Sequence, residues 1–219
     1  MLKLENICYR YKTGTSDVLN NISAVFEPGC FTSIVGPSGS GKTTLLSIMA
    51  GLDKPTTGTI SINGENLASL DLDFYRRKRI AMIFQAFQLF PLLTAVENVC
   101  YPMEMNKIPK DIAKLRAAKL LKSVGIGKEK HTRYPANLSG GEQQRVAIAR
   151  SLSTGAKVIL ADEPTGNLDT ANGDAVVDIL QELAHDKGYA VVIVTHNLEI
   201  AEASDVVYRM ADGVLTKEM

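Results

Sequence analysis

The sequence GPSGSGKTT follows directly on a short apolar run, Phe31–Val35, and constrains the fold more than any other part of the chain. It fits the phosphate-binding-loop pattern G-x-x-x-x-G-K-[ST] in the context that this pattern requires: a strand, a glycine-rich turn and a helix. Glycines let the backbone curl so that successive N–H groups point at a polyphosphate, and the start of the next helix adds its positive dipole end. The pattern predicts that a nucleoside triphosphate binds to the loop formed by Gly36, Pro37, Ser38, Gly39, Ser40, Gly41, Lys42, Thr43 and Thr44.

Two side chains of this loop are predicted to act directly on the nucleotide. Lys42 would reach the β- and γ-phosphates, and the hydroxyl of Thr43 would hold Mg²⁺. At average composition, a chance match is expected in roughly one chain of this length in a hundred, and the preceding strand makes chance rarer still. The loop therefore predicts ATP as the ligand and Mg²⁺ as its metal.

Charge and cysteine content indicate which kinds of partner and which cellular compartment to expect. Lys plus Arg and Asp plus Glu number 24 each, so the net charge gives no indication of a nucleic-acid partner, and we expect none. The three cysteines are widely spaced and form no C-x-x-C pair, which favours reduced thiols in a cytoplasmic protein. No stretch of eighteen apolar residues occurs, and the first residues lack the apolar segment of a signal peptide. Any membrane association is therefore expected to come through a partner.

Short β-branched runs alternate with helical patterns, which predicts an α/β fold with a parallel sheet. Strands are expected where residues are continuously apolar, because helices cover both faces of such a sheet. Ligands of these folds bind at the carboxyl ends of the strands. The predicted strands are 34–35, 80–84, 158–161 and 191–195, and the predicted helices lie after Gly41, after Ser139, around 171–184 and around 198–203.

Two other regions depart from this pattern. Between residues 86 and 152 helical patterns dominate, and Thr94 and Glu97 fit a capping box at the start of one helix. This region is predicted to be a helical subdomain inserted into a P-loop NTPase core that spans residues 1–219. A small antiparallel β-layer against the core is predicted from residues 2–4, 22–26 and 59–62.

Four polar residues follow the predicted strands at the points where the strands end. Asp162 can orient the Mg²⁺ shell, and Glu163 beside it can polarise a water toward the γ-phosphate as a general base. A solvated turn is the alternative for an Asp-Glu pair, but the strand before it favours the catalytic interpretation. His196 and Gln85 end two further strands and are expected to face the nucleotide, with Gln85 approaching the metal or the water.

The string LSGGEQQR, residues 138–145, predicts a second helix start that can bind phosphate. Ser139 and Glu142 fit another capping box, and Gly140 and Gly141 would let a ligand approach the helix N-terminus closely. One chain has little use for two phosphate-binding helix ends on one nucleotide. The second end therefore suggests a nucleotide held by another copy of the chain.

With these motifs the chain resembles the ATP-binding subunits of ABC transporters over essentially its whole length. GPSGSGKT is similar to their Walker A motif, VILADE to their Walker B motif and LSGGEQQR to their signature. Gln85 matches their Q-loop, His196 their switch histidine, and Asp169 ends a string similar to their D-loop, GNLD. Tyr11 lies where the family places an aromatic that stacks on adenine, with Tyr9 as a neighbouring candidate; a packed strand residue is the alternative for either.

The resemblance implies a homodimer that sandwiches two nucleotides. Each ATP would be held by the Walker A loop of one protomer and by Ser139, Gly140 and Gly141 of the other. Closure on ATP and opening after hydrolysis would drive a separate membrane permease between two conformations. The subunit would therefore lie on the cytoplasmic face of the membrane, attached through the permease.

Shorter strings resemble one group within the family. LTAVENV, ADEPTGNLD and the early end after Gly213 are similar to the ATPases of lipoprotein-releasing, macrolide-export and antimicrobial-peptide-export systems. The permeases of that group have few transmembrane helices and a large extracellular domain. Sugar-import ATPases usually carry an extra C-terminal regulatory domain, for which no residues remain here.

Two alternatives remain open. An ABC ATPase can regulate a cell-wall or cell-division enzyme through a membrane partner without transport, and the chain resembles that group as well. An ABC ATPase acting on nucleic acid or ribosomes is less favoured, because such proteins carry paired cassettes, zinc modules or a coiled-coil insertion that this sequence lacks.

The apolar run AFQLFPLL after Gln85 is predicted to open the helical subdomain. Leu92 and Leu93 are expected to pack into the core of that subdomain. The family places the coupling helix of the permease in a groove at this position. The side chains expected in such a partly exposed groove, since exposed apolar surface marks partner sites, are Phe87, Leu89 and Phe90.

Overall fold

The computed structural model of the chain describes residues 1–12 and 14–218, which form ten strands in two sheets and seven α-helices. The strands are β1 (Leu2–Tyr9), β2 (Leu19–Phe26), β3 (Phe31–Val35), β4 (Thr57–Ile62), β5 (Glu65–Asn66), β6 (Ile80–Phe84), β7 (Val158–Asp162), β8 (Ala190–Thr195), β9 (Val206–Ala211) and β10 (Val214–Lys217). The helices are α1 (Lys42–Met49), α2 (Leu72–Lys78), α3 (Ala95–Met105), α4 (Lys110–Ser123), α5 (Gly140–Leu152), α6 (Thr170–His185) and α7 (Leu198–Glu202).

A six-stranded sheet forms the centre of the fold, with the strand order β10-β9-β3-β8-β7-β6. Its strands run parallel except β10, which pairs antiparallel with β9 at one edge. Successive side chains of β7 and β8 enter different hydrophobic clusters: Leu160 and Val192 pack on one face, Ile159 and Val191 on the other. Because both faces are buried, these strands are continuously apolar in sequence. The predicted α/β fold is confirmed.

The predicted antiparallel layer is also present. Its four strands lie in the order β2-β1-β4-β5, and each neighbouring pair is antiparallel. The layer and α1 pack over one face of the central sheet in a cluster that includes Phe26, Leu45 and Leu160. Since α1 begins at the end of the phosphate-binding loop, this packing holds the loop in place.

The helical region contains α3, α4 and α5, which pack on one another and against the other face of the central sheet. Both predicted capping boxes are present: Thr94 and Glu97 close the start of α3, and Ser139 and Glu142 close the start of α5. Across residues 1–12 and 14–218, none of the helices combines the length and the apolar character needed to span a bilayer.

Four elements were missed by the sequence patterns, namely α2, β5, β9 and β10. The segment LDFYRRK of α2 buries only Tyr75, so its helical periodicity is short and weak. Asp71 accepts hydrogen bonds from the backbone N–H groups of Asp73 and Phe74, and this cap defines the start of the helix.

The expectation that Leu92 packs into the helical core is wrong, because its side chain is 86% exposed. Leu93 beside it is half-buried. The cause is Asn98, a fully buried residue of α3 whose side-chain amide holds the loop from inside. Asn98 accepts from the N–H of Phe90 at 2.8 Å and donates to the carbonyl of Leu93 at 2.9 Å. The loop therefore turns with Leu92 pointing outward.

Candidate active site

The carboxyl ends of four parallel strands bring the residues predicted from sequence to one edge of the central sheet. β3 leads into the phosphate-binding loop, β6 into Gln85 and β8 into His196, while β7 ends at Asp162. Phe84 pairs in register with Asp162, and Asp162 with Val194, so the strand ends are level. These residues line a cavity of about 570 Å³ beside the loop.

The loop is arranged around the ammonium group of Lys42. Lys42 Nζ donates hydrogen bonds to the carbonyl oxygens of Gly36 at 2.7 Å and Pro37 at 2.9 Å. The first glycine is required by crowding, because a Cβ on Gly36 would collide with the carbonyl oxygen of Met210. Gly41 caps α1 with a φ of 105°, a left-handed conformation that favours glycine. The N-terminus of α1 and one positive charge therefore face the same cavity.

The oxygen atoms predicted to hold Mg²⁺ lie together in this cavity. Thr43 Oγ1 donates to Asp162 Oδ1 at 3.4 Å, and Gln85 lines the same wall. Burial raises the pKa of Asp162, and the neighbouring charge of Glu163 adds to this, although the Thr43 hydrogen bond opposes it. A cation at this carboxylate would relieve that cost.

This donor set fits Mg²⁺. Within the described part of the chain, no group of three or more His, Cys, Asp and Glu side chains is placed to hold a metal alone. Mg²⁺ does not need one, because it commonly binds one or two protein oxygens and takes its other ligands from substrate phosphates and water.

Glu163 and His196 form a hydrogen-bonded pair at the mouth of the cavity. His196 Nδ1 lies 2.9 Å from Glu163 Oε2, with the histidine side chain 75% and the glutamate side chain 19% exposed. Glu163 has a φ of 47°, which is unusual for a residue with a Cβ. Its backbone N–H donates to the carbonyl of Val194 at 2.9 Å, which helps to hold this strained conformation.

The structure distinguishes between the two candidate aromatic residues. Tyr11 lines the cavity, is 46% exposed, and its hydroxyl lies 2.9 Å from Thr44 Oγ1. Tyr9 is 8% exposed and packs edge-on against Tyr11 with ring centroids 5.0 Å apart. Of the two, Tyr11 is therefore the residue that borders the cavity.

The second predicted phosphate-binding helix end lies away from this cavity. The wall of the cavity includes the phosphate-binding loop, Tyr11 and His196. It contains none of Ser139, Gly140 and Gly141. Ser139 caps α5 on the exposed surface of the protein. The start of α5 instead lies beside Leu168 and the carbonyl of Asn167.

The residues around Asp169 pack against the start of α5. Asp169 caps α6 by accepting from the N–H of Asn172 at 2.9 Å, and these hydrogen bonds lower the pKa of the carboxyl. A Cβ on Gly141 would collide with the side chain of Asn172, so glycine permits α5 and α6 to approach. Asp169 and the start of α5 thus lie on one continuous surface.

The comparisons with known proteins agree with this geometry. The sequence model of the ABC transporter family matches residues 19–166, which include the phosphate-binding loop, the string LSGGEQQR and the Asp162-Glu163 pair. The chain belongs to the ABC transporter family. It is an ABC ATP-binding subunit and an ATPase that binds ATP with Mg²⁺.

Relatives of this ABC ATPase match nearly its whole length. An uncharacterized ABC transporter ATP-binding protein of Mycobacterium tuberculosis is 40% identical over 220 residues, covering 98% of this chain and 88% of the relative. One of Methanocaldococcus jannaschii is 42% identical over 222 residues, covering 99% and 98%.

Two solved structures have the same fold. The ATP-binding cassette MJ0796, a dimer in a post-hydrolysis state bound to ADP and phosphate, has a TM-score of 0.90 and 39% identity, covering 100% of this chain and 98% of that one. CbiO1 of Clostridium perfringens, part of the transporter complex CbiONQ, has a TM-score of 0.89 and 31% identity, covering 98% and 86%.

The sequence patterns did not identify three residues that connect α5 and the connections after β6 and β7 in the ABC ATPase site. Gln144 on α5 is fully buried and donates to the carbonyl of Pro164 at 2.7 Å. Asn167 donates to the carbonyl of Gln85 at 2.9 Å. Arg150, near the end of α5, donates to the carbonyls of Phe87 and Gln88. Gln144 lies within the LSGGEQQR string and Arg150 lies five residues after it. This closeness to the string is the only feature of the sequence that could have indicated them.

Proposed function

We propose that this ABC ATPase works as a homodimer in which each ATP lies between the phosphate-binding loop of one protomer and the start of α5 of the other. The observation that carries the proposal is the position of Ser139, which is exposed and outside the nucleotide cavity of its own chain. A glycine-rich helix N-terminus on the surface suits an anion supplied by another molecule. The dimeric, nucleotide-bound state of MJ0796 supports this arrangement.

The side chains around the cavity take distinct roles in this proposal. Thr43 and Asp162 would hold Mg²⁺, and Gln85 would approach the metal and the attacking water. When bound, Mg²⁺ neutralises charge on the β- and γ-phosphate oxygens. Glu163 is the general base, and His196, at 2.9 Å, orients the glutamate carboxylate and contacts the γ-phosphate.

Two other groups complete the site. Lys42, already held at the centre of the loop, adds positive charge to the phosphates. Tyr11 stacks on the adenine at the exposed side of the cavity.

A second cavity suits the attachment of a membrane permease. It has a volume of about 330 Å³ and lies between the edge of the central sheet, α3 and α5. Phe90 and Tyr101 line it with their rings 4.7 Å apart, and they are 40% and 42% exposed. Phe87 and Leu89, which were also expected there, do not line it, and Leu89 packs against the hydrophobic cluster of the helical region. Leu52, another exposed apolar residue, also lines the cavity. Exposed aromatic and aliphatic side chains around a groove favour an amphipathic partner helix.

This groove is connected to the nucleotide. Gln85 lies at one end of the loop that carries Phe90, and Arg150 holds the middle of that loop through the carbonyls of Phe87 and Gln88. Arg150 also lies over the ring of Phe90, 5.8 Å from its centroid. Residues 86–152 thus act as a helical subdomain that links the groove, Gln85 and the start of α5. Through this subdomain, a change in contacts at the γ-phosphate can alter the groove that holds the permease.

The permease is proposed to belong to the group with few transmembrane helices and a large extracellular domain. LTAVENV and ADEPTGNLD support this assignment. Transport would then be export or membrane extraction of a lipoprotein, peptide or drug, with the ATPase on the cytoplasmic face of the membrane.

Replacing Phe90 with glutamate is expected to separate the ATPase from its permease. A charge in this groove must be desolvated against apolar side chains when the partner helix binds. The isolated Phe90→Glu subunit should keep its basal ATPase activity, while co-purification with the permease encoded beside it and transport by the complex are lost.

Phe74→Glu is the matched control, because Phe74 is similarly exposed, at 43%, but does not line the groove. Loss of basal activity by Phe90→Glu would assign Phe90 to the structural core. Normal co-purification by a folded Phe90→Glu chain would place the permease elsewhere.

A further inference from the structure

The positive charges of this neutral chain are unevenly distributed. Residues 107–122 contain six Lys and Arg residues and a single acidic residue, Asp111, whereas the whole chain has 24 of each kind. These residues span the end of the α3–α4 connection and most of α4. All six basic side chains are exposed: Lys107, Lys110, Lys114, Arg116, Lys119 and Lys122.

One face of α4 combines part of this charge with apolar side chains. Ala113, Ala117 and Leu121 form the buried face of the helix. Leu115 is 69% exposed, and Lys119 and Lys122 follow it at helical spacing, four and seven residues later. Ile112, 43% exposed and one turn earlier, and Met105 at the end of α3, 53% exposed, extend the apolar surface.

The charges of residues 107–122 are not held in ion pairs within the described part of the protein. The ion pairs within 4.0 Å that residues 1–12 and 14–218 form include none of the six basic side chains. By contrast, Lys130, just beyond this helix, pairs with Glu142 at 2.7 Å. The pKa of Glu97 on α3 is lowered chiefly by its hydrogen bonds to Thr94, with a smaller contribution from the charge of Lys114. The other five cations are therefore the ones free to meet negative charge on another surface.

We propose that the outer face of α4 binds the surface of an anionic lipid membrane. Lysine ammonium groups are attracted to anionic headgroups, while Leu115 and Ile112 can enter the boundary between headgroups and acyl chains. A helix with basic and apolar residues on one face is typical of membrane-surface contact. Nucleic acid is a poorer match, because residues 107–122 contain no aromatic side chain on which a base could stack.

This surface is distinct from the groove proposed for the permease. The residues that line the groove include Tyr101 and Pro102 of α3 and none from α4. The lipid contact goes beyond the proposed function and can be tested on the isolated chain, so its failure would leave the permease proposal untouched.

The test is flotation of the isolated subunit with vesicles of phosphatidylcholine and with vesicles containing phosphatidylcholine and phosphatidylglycerol in equal parts. We expect binding to the anionic vesicles alone, weakened as salt rises, since screening shortens the reach of the charges. A triple variant, Lys114→Glu, Lys119→Glu and Lys122→Glu, should bind at least about tenfold more weakly, given the contribution of each basic residue at such a surface. Its retained ATPase activity would establish that it folds.

Two controls distinguish this surface from general charge attraction. The triple variant Lys54→Glu, Lys187→Glu and Lys217→Glu makes the same change in net charge at exposed lysines elsewhere and should bind like the unaltered chain. Replacing Ile112 and Leu115 with serine should weaken binding severalfold without changing the charge.

The proposal is overturned by equal binding to both kinds of vesicle or to neither, or by equal losses in the two lysine triple variants. It is also overturned if the serine variant binds unchanged and short RNA displaces the chain from vesicles, since the face would then be a general polyanion site.

Discussion

A Glu163→Gln variant is expected to bind ATP with nearly unchanged affinity and to hydrolyse it about 10²- to 10⁴-fold more slowly, the usual contribution of a general base. Glutamine keeps the size of the side chain and can still hydrogen-bond to His196, which lies 2.9 Å from the carboxylate. It cannot accept a proton from water. Because hydrolysis reopens the dimer, the variant should accumulate as an ATP-bound dimer in gel filtration.

Glu202→Gln is the matched control for this substitution. Glu202 ends α7 and is exposed, so the same chemical change there should leave single-turnover rates unaltered. Near-normal hydrolysis by Glu163→Gln would remove Glu163 from the role of base. The strained backbone at this residue, with a φ of 47°, would then need another explanation.

A Lys42→Ala variant is expected to lose both nucleotide affinity and turnover. Lys42 is 9% exposed, and its ammonium, held within the loop, would meet charge on the phosphates in the ground state and the transition state. A hydrogen bond to a charged group contributes about 1.5–3 kcal/mol, which is about 10- to 150-fold in Kd. Loss of a preorganised charge-stabilising group slows turnover by a further factor of about 10²–10³.

Isothermal titration and steady-state hydrolysis measure these two effects separately. Lys42 also donates to the carbonyls of Gly36 and Pro37, so the melting temperature should be recorded beside them. Lys187→Ala, at an exposed lysine in the connection between α6 and β8, serves as the control. Unchanged affinity in a folded Lys42→Ala chain would contradict the assignment.

The parts of the site that could be predicted from sequence are those encoded locally. The phosphate-binding loop is nine consecutive residues, and each capping box, such as Ser139 with Glu142, spans four. Asp162 and His196 each end a continuously apolar strand, and parallel strands place such ends at one edge of the sheet. These residues needed no long-range information to be found, and four of the six strands of the central sheet followed from the same apolar runs.

The parts that could not be predicted depend on contacts between distant residues. Leu92 and Leu93 look alike in sequence, but only the hydrogen bonds from Asn98 determine that Leu92 faces outward. Arg150 donates to carbonyls more than sixty residues earlier in the chain, so no local pattern indicates its role. The choice between Tyr9 and Tyr11 likewise depends on which side of β1 and its following loop faces the cavity.

The claim that two chains share each ATP can be tested by mixing two defective variants. A tagged Lys42→Ala chain has a disabled phosphate-binding loop, and an untagged Ser139→Arg chain has a disabled start of α5. Both also carry Glu163→Gln, so that bound ATP persists. In a mixed dimer, one site combines both defects, and the other combines the intact loop of one chain with the intact helix start of the other.

The measurement is ATP-dependent capture of the untagged chain by the tagged one. Shared sites predict that ATP brings the Ser139→Arg chain down with the Lys42→Ala chain, while neither variant pairs with a second copy of itself. ATP-dependent self-association of the Ser139→Arg chain as strong as that of the parent, or no capture in the mixture, would contradict a site built from two chains.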